Sequence, residues 1–145
     1  MPYDDAGWHY DSVGELGLPY ENAATHIGIF LAWMRAHGMS PGYTTDFDEV
    51  RFFPGLEDLD ERRTTPGRYL LAHRCGEINV GDFTPDGNAF AAEAYSSYLR
   101  SYRNVPAVAT YESTYAAPDT WELYDAVAPM LDEMYAAWKD QPRSE

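Results

Sequence analysis

The sequence predicts a mainly α-helical protein: a single compact domain of about five helices with at most a minor β element. Length and composition give the first indication, since 145 residues suit one domain and 45 % hydrophobic residues are enough for a core. Apolar residues also recur at spacings of three and four, which is the period of a helix face. Helix-start signals precede several of these stretches, and no linker divides residues 1–145.

Residues 1–21 are predicted to form an irregular arm packed on the helical body. Five acidic residues and no basic residue lie in this stretch, and Gly14, Gly17 and Pro19 interrupt any helical pattern. The first residues are also compatible with a short strand. The anchors of the arm are expected to be its aromatic residues, Trp8, Tyr10 and Tyr20.

Residues 22–37 form the clearest predicted helix. Asn22 can cap its N-terminus, and Gly38 stands where a left-handed residue ends many helices. The helix is apolar around most of its circumference, which is typical of a central, buried helix. Its main stripe consists of Ala23, Ile27, Phe30, Leu31 and Met34.

The middle of the chain predicts shorter elements. Residues 46–60 are expected to be partly helical, with a break at Pro54-Gly55. Thr65-Pro66 matches the start of a short helix that Gly76 can end. Residues 77–83 are expected to be an extended connection.

Two long helices are predicted in the last third. Thr84-Pro85 precedes a helix over residues 86–103, and residues 105–115 are a connector or an edge segment. Asp119 and Glu122 have the spacing of a capping box for the last helix, which Pro129 should kink. Its apolar stripe consists of Tyr124, Val127, Leu131, Met134 and Trp138.

The charge balance excludes two classes of partner. With 24 acidic and 10 basic residues the formal net charge is −14, so neither nucleic acid nor an anionic membrane surface is expected to bind. The longest apolar stretch, residues 27–34, is too short to cross a bilayer. The N-terminus lacks the pattern of a secretory signal, and the single cysteine, Cys75, cannot form an intramolecular disulfide. A cytoplasmic protein is therefore predicted.

The four histidines, His9, His26, His37 and His73, do not have the spacing of a helical metal site, so no metal and no cofactor are predicted. His26 stands out because it lies in an apolar helix, where a buried imidazole needs hydrogen-bond partners. Asp4, Asp5, Asp11 and a backbone carbonyl of the arm are candidates. One interpretation is a core histidine that ties the arm to the central helix. The other is a ligand-contacting or acid–base histidine in a cleft formed by His9, Thr25 and His26.

Two acidic runs indicate either an ordinary solvated surface or a docking face for a basic partner. Their carboxylates are Asp46, Asp48, Glu49, Glu57, Asp58, Asp60 and Glu61. Apolar residues are interleaved with them and belong either to the core of the domain or to the apolar centre of an interface. These are Phe47, Phe52, Phe53, Leu56 and Leu59.

Three spaced motifs resemble an uncharacterised bacterial domain family. They are Trp8-His9-Tyr10 with the helix Ala24–Gly28 and Phe30–Trp33, then residues 87–91 with Tyr98, Leu99 and Tyr102, and finally Thr120-Trp121, Tyr124 and Ala128-Pro129. The resemblance implies a setting of polymorphic toxin systems, in which small acidic proteins act as immunity factors, and it transfers no catalytic residue.

The expected function is therefore an acidic cytoplasmic protein-binding module, an immunity protein that neutralises a cognate basic toxin domain. The alternative is a small-molecule-binding protein or enzyme that uses the cleft near His9, Thr25 and His26. The oligomeric state is left open.

Overall fold

Helix α2 (Thr25–Ala36) is the central element, in agreement with its broad apolar circumference. In the computed structural model, which describes residues 2–141, every residue from Thr25 to Met34 is buried. The helix begins later than predicted, because a 3-10 turn (Tyr20–Ala24) precedes it. Asn22 does not cap it and instead donates a hydrogen bond to the carbonyl of Tyr115. Gly38 follows the helix with φ +74°, as expected.

The described part of the chain contains seven α-helices instead of about five. The additional helices are short, whereas four longer ones carry the core, so a mainly helical fold with minor β structure is confirmed. Besides α2, the helices are α1 (Tyr10–Glu15), α3 (Leu56–Asp60), α4 (Pro66–His73), α5 (Pro85–Tyr102), α6 (Pro106–Ala109) and α7 (Trp121–Asp140).

The described part of the N-terminal arm is mostly regular, which corrects the prediction of an irregular segment. The short strand expected near its start is present as β1 (Asp4–Asp5), which leads into a 3-10 turn (Ala6–His9) and then α1. The carboxylate of Asp5 accepts a hydrogen bond from the Gly7 N–H at 2.8 Å and so caps the turn. Gly14 lies inside α1 without interrupting it, and the chain leaves the helix only at Gly17, where φ is +70°.

Two small antiparallel sheets complete the fold. Strand β1 pairs with β4 (Glu77–Ile78), and strand β2 (Tyr43–Asp46) pairs with β3 (Glu49–Phe52). The expectation of a partly helical segment over residues 46–60 is therefore wrong before α3. The sequence Glu-Val-Arg-Phe of β3 has the alternating pattern of a strand, and a tight turn at Phe47-Asp48 closes the hairpin. Residues 77–83 are extended at β4, Asn79 and Phe83, but a 3-10 turn (Val80–Asp82) interrupts the extended connection.

Two local predictions near the C-terminus have different outcomes. Residues 105–115 are a connector between α5 and α7, as one of the two alternatives had it, and contain α6 and the start of a 3-10 turn (Thr114–Ala116) instead of an edge strand. Helix α7 is capped by Thr120, whose hydroxyl accepts from the Leu123 N–H, while Asp119 binds the first turn of α4. None of the helices within residues 2–141 is long and apolar enough to span a membrane.

Candidate functional site

Three side chains of the types that bind metals or transfer protons converge where the N-terminal arm meets α2. The pairing of β1 with β4 positions Asp4, the following 3-10 turn carries His9, and the first turn of α2 carries His26. His9 Nε2 lies 2.7 Å from Asp4 Oδ1, and His26 Nε2 lies 3.1 Å from Asp4 Oδ2. We call this group the Asp4–His9–His26 centre.

The carboxylate of Asp4 is buried and fully hydrogen-bonded. Beside the two histidines, its oxygens accept from the Asp5 N–H at 2.9 Å and from the Tyr95 hydroxyl at 2.5 Å. Burial by itself raises the pKa of Asp4, but the hydrogen bonds from His26, His9 and Tyr95 outweigh it and hold the pKa well below its usual range. Asp4 is therefore a carboxylate at every physiological pH.

The two imidazoles of the centre differ in their surroundings. Burial lowers the pKa of His26, and although Asp4 opposes the shift, His26 is neutral at pH 7. His9 is partly exposed, and its Nδ1 lies 2.6 Å from the Tyr115 hydroxyl. The two rings meet edge to face, with centroids 4.8 Å apart. Tyr115, His9, Asp4 and His26 thus form one continuous chain of hydrogen bonds.

A small cavity of about 140 Å³ opens beside the two histidines. Tyr102, Arg103 and Tyr115 contribute to its wall. The Tyr102 hydroxyl is buried and has no hydrogen-bond partner within residues 2–141, which is unusual for a buried polar atom. The cavity has room for a water molecule or a small polar ligand beside the two histidines.

The predicted acidic surface separates into two unlike parts. In and after α3, four carboxylates contact arginines: Arg63 pairs with Glu57, Asp58 and Glu61, and Arg35 pairs with Asp60 at 3.0 Å. The chain turns back at Arg62, where φ is +60°, and this reversal brings Arg63 over α3. Much of the negative charge of this run is therefore compensated locally.

The β2–β3 hairpin (residues 43–52) is the second part. Asp46 is the last residue of β2, and Asp48 and Glu49 are exposed at and after the turn. The apolar side chains interleaved with the two acidic runs also differ in their exposure. Leu56 and Leu59 are buried in the core, whereas Phe47 is 95 % exposed and Phe52 is 78 % exposed.

A larger cavity of about 340 Å³ lies between the hairpin and the C-terminal end of α4. Arg74 lines it, stacked against Phe53 with its guanidinium carbon 3.6 Å from the ring centroid. Its Nε donates to the Tyr69 hydroxyl and its Nη1 to Asp82, whereas the buried Nη2 has no partner among the described residues. Cys75, which follows it, is exposed with φ +56°.

Comparison with known protein families assigns the chain to one of them. The family model described as Domain of unknown function (DUF7832) matches residues 2–117. The chain belongs to this family. No curated protein and no solved structure matches it.

The DUF7832 match includes both features described above. It covers the Asp4–His9–His26 centre with Tyr95, Tyr102 and Tyr115, and it covers the β2–β3 hairpin, while α7 lies beyond its end. An uncharacterised domain family, which the sequence motifs indicated, is thereby shown.

The structure brings together two of the three residues predicted to form a cleft. His9 and His26 line the smaller cavity, whereas Thr25 is buried in α2 and is not among its lining residues. Asp4 was one of several candidate partners of His26, but the tyrosines that contact the centre were not predicted. Tyr95 donates to Asp4, Tyr98 donates to the main-chain carbonyl of His26, and Tyr115 lies against His9. These three tyrosines lie between 72 and 106 residues from their partners, and no local spacing signals such contacts.

Proposed function

We propose that this protein is an acidic cytoplasmic protein-binding module, an immunity protein that neutralises a cognate basic toxin domain, and that it docks through the β2–β3 hairpin. The observation that carries the proposal is the exposure of large apolar side chains on this hairpin. Phe47, Val50 and Phe52 are exposed, and every residue of β3 is exposed. Contiguous apolar side chains on an otherwise charged surface are typical of interaction sites.

The turn of the hairpin is unfavourable for the free protein. Phe47 and Asp48 have φ of +49° and +66°, a conformation that hairpin turns normally assign to Asn and Gly. A left-handed non-glycine residue costs about 1–2 kcal/mol, and a phenylalanine exposed at the tip gains no packing in return. A residue that lowers stability without contributing to the core is expected where binding a partner compensates for it.

Charge complementarity supports a basic partner. Asp48 and Glu49 flank the exposed aromatic side chains, and the whole chain carries a net charge of −14. Such a field attracts a basic domain and raises its association rate. The carboxylates of α3 contribute to this long-range field, but their pairing with Arg63 and Arg35 makes them poor candidates for the centre of the interface.

The cavity behind the hairpin offers a place for a partner side chain or main-chain carbonyl. Arg74 Nη2 is a buried donor without a partner in the described chain, and an acceptor inserted beside Phe53 would satisfy it. Arginine is also one of the residue types that are enriched in interface hot spots.

The experiment takes the product of the gene next to this one and, if that product is a secreted protein with a basic C-terminal domain, measures binding of the purified basic domain at low and high salt. Phe47→Ser and Phe52→Ser are each expected to weaken binding about 30-fold, as hot-spot truncations do. Leu16→Ser is the matched control, because Leu16 is 51 % exposed on another surface. Reversal of Asp58 and Glu61 to Lys is expected to slow association mainly.

The result that would overturn the proposal is equally specific. A neighbouring basic domain that does not bind, or that binds the two hairpin variants as tightly as the unaltered protein, removes the hairpin as the docking element. Binding lost only in the Asp58/Glu61 reversal would assign the interface to α3.

A second candidate function is small-molecule binding or catalysis in the cavity beside His9 and His26. The two imidazoles that line that cavity, both in contact with the buried Asp4 carboxylate, favour it. The two candidates separate in one variant: His9→Gln would abolish an activity of the cavity and leave the affinity of the hairpin for its partner unchanged.

A further inference from the structure

We infer that Asp4, His9 and His26 bind one divalent transition-metal ion, with an open coordination position toward the cavity lined by Tyr102, Arg103 and Tyr115. This inference does not depend on the protein-binding proposal, because the hairpin contributes none of these residues.

The types of side chain match such an ion. Two imidazoles and one carboxylate are the three protein ligands of many catalytic zinc sites and of the facial triads that bind ferrous iron. The candidate ligand atoms of Asp4, His9 and His26 all lie within 4.8 Å of one another. Bonds of about 2.0–2.2 Å place neighbouring ligand atoms roughly 3–3.5 Å apart. His26 Nε2 lies 3.1 Å from Asp4 Oδ2 and His9 Nε2 lies 2.7 Å from Asp4 Oδ1, so an ion between the imidazoles would meet both carboxylate oxygens once the His9–Asp4 distance widens by a few tenths of an ångström.

The groups around the centre have the arrangement of a second coordination shell. Metal-bound histidines commonly donate their other ring N–H to an oxygen, which fixes ring orientation and tautomer. Tyr115 Oη lies 2.6 Å from His9 Nδ1 and can accept this hydrogen bond once Nε2 binds the metal. The carboxylate of Asp4 is oriented in turn by the Tyr95 hydroxyl and the Asp5 N–H.

The buried negative charge of Asp4 also favours a bound cation. The carboxylate of Asp4 is 2 % exposed, and its hydrogen-bond partners within residues 2–141 include neither Lys nor Arg. A buried carboxylate is normally paired with a cation or coordinated to a metal. A divalent ion between the Asp4 carboxylate and the two imidazoles would be such a cation.

The cavity supplies a reason for an open position. It is lined by His9 and His26, the two proposed histidine ligands, and by Tyr102, Arg103 and Tyr115. A water molecule or small ligand on the metal therefore has room beside the two imidazoles. Three protein ligands and an exchangeable fourth position are characteristic of catalytic rather than structural zinc sites.

The test uses the full chain without an affinity tag, stripped with EDTA and titrated with Zn²⁺ or Co²⁺ alone. We expect one ion per chain by elemental analysis, visible absorption bands of bound Co²⁺, and a higher melting temperature with either ion. His9→Gln, His26→Gln and Asp4→Asn should each abolish binding at micromolar metal, and Tyr115→Phe should weaken it about tenfold.

The matched control is His37→Gln. His37 also faces a carboxylate, with its Nε2 3.4 Å from Asp132 Oδ1, but it belongs to the exposed end of α2 and has no second histidine beside it. This variant should bind the metal like the unaltered protein. Circular dichroism of each metal-free variant verifies folding, and His9→Gln is the most informative because His9 is only partly buried.

Two results would overturn the inference: an unaltered protein that binds less than one ion per chain at micromolar metal, or a folded His9→Gln variant that binds as tightly as the unaltered protein. The first would leave the centre as a hydrogen-bonded tie between the arm and α2. The second would place the bound ion elsewhere on this acidic chain.

Discussion

Gly28 on α2 lies directly against the main chain of Pro66 and Gly67 at the start of α4. A Cβ atom added to Gly28 would stand 2.7 Å from the Gly67 nitrogen and closer still to the Pro66 carbonyl oxygen. Main-chain atoms cannot rotate away as a flexible side chain can. The absence of a side chain at position 28 therefore sets the distance between the two helices, and this contact is the basis of the first prediction.

Gly28→Ala is expected to lower the free energy of unfolding by about 1–3 kcal/mol, the usual cost of overpacking, although alanine is the better helix former. Chemical denaturation measures the change. Gly14→Ala is the control, because a Cβ at Gly14 meets only Tyr20 Cε1 at an ordinary 3.7 Å. The free energy of unfolding of that variant should rise by about 0.5–1 kcal/mol. Equal effects of the two substitutions would contradict the close approach of α2 and α4.

Phe30→Ala is expected to destabilise the protein by about 3–5 kcal/mol, because Phe30 is fully buried and its ring contacts Tyr95 and Tyr98. Phe52→Ala is the matched substitution on the exposed hairpin and should change stability by less than about 0.5 kcal/mol. Urea denaturation of both variants compares the two sites. A loss below about 1 kcal/mol for Phe30→Ala would show that α2 is not the packed centre.

Asp119→Ala is expected to lower the free energy of unfolding by about 1–2 kcal/mol. The loss should arise at the start of α4, where Asp119 binds, and not at α7. The carboxylate of Asp119 accepts from the Gly67 N–H at 2.8 Å, from the Arg68 N–H at 3.1 Å and from the Thr65 hydroxyl at 2.5 Å. Hydrogen exchange should report faster opening of residues 66–70, with α7 unchanged. Glu93→Ala, on an exposed face of α5, is the control and should be nearly neutral.

Stability in EDTA is expected to fall as the pH decreases below about 6.5, the ordinary pKa of histidine. Burial lowers the pKa of native His26, so in this range the unfolded chain binds a proton that the native protein does not, and protonation favours unfolding. Below about pH 4 the unfolded chain also protonates Asp4, whose native pKa is held lower by its hydrogen bonds, and stability falls further.

Denaturation midpoints at pH 7.5 and 5.5 measure this effect. His26→Asn, which keeps an N–H donor for Asp4, should show a smaller decrease between the two pH values than the unaltered protein. His73→Asn alters an exposed histidine and should keep the full decrease. An identical decrease in all three proteins would mean that His26 does not titrate differently in the native and unfolded states.

The combined substitution Phe47→Asn and Asp48→Gly should leave the fold intact and raise the free energy of unfolding by up to about 2 kcal/mol. Both positions have positive φ, and Asn-Gly is the preferred pair for such a hairpin turn. Thermal denaturation measures the gain. If the hairpin docks a partner, the same variant binds it more weakly, whereas a stability loss would contradict the strained turn.

Sequence alone determined most of the helical framework. The apolar circumference of α2, the Thr-Pro starts of α4 and α5 and the stripe of α7 are local patterns, because they depend on side chains within a turn or two of one another. The position of α2 at the centre of the domain was also predicted from its own apolar residues. Charge and length also limited the classes of partner before any contact was known.

Only the tertiary structure determined which strands pair and which charged side chains contact one another. Residues 46–52 were predicted to be partly helical. They belong instead to the β2–β3 hairpin, because β2 pairs with β3 and a tight turn at Phe47-Asp48 connects the two strands. Arg63 compensates the acidic run of α3 because the chain reverses at Arg62.

The candidate centre depends most of all on distant contacts. Tyr115 is 106 residues from His9, and Tyr95 is 91 residues from Asp4. Only the packing of the arm, α5 and the 3-10 turn Thr114–Ala116 around α2 brings these groups together, because hydrogen bonds act over about 3 Å regardless of separation along the chain.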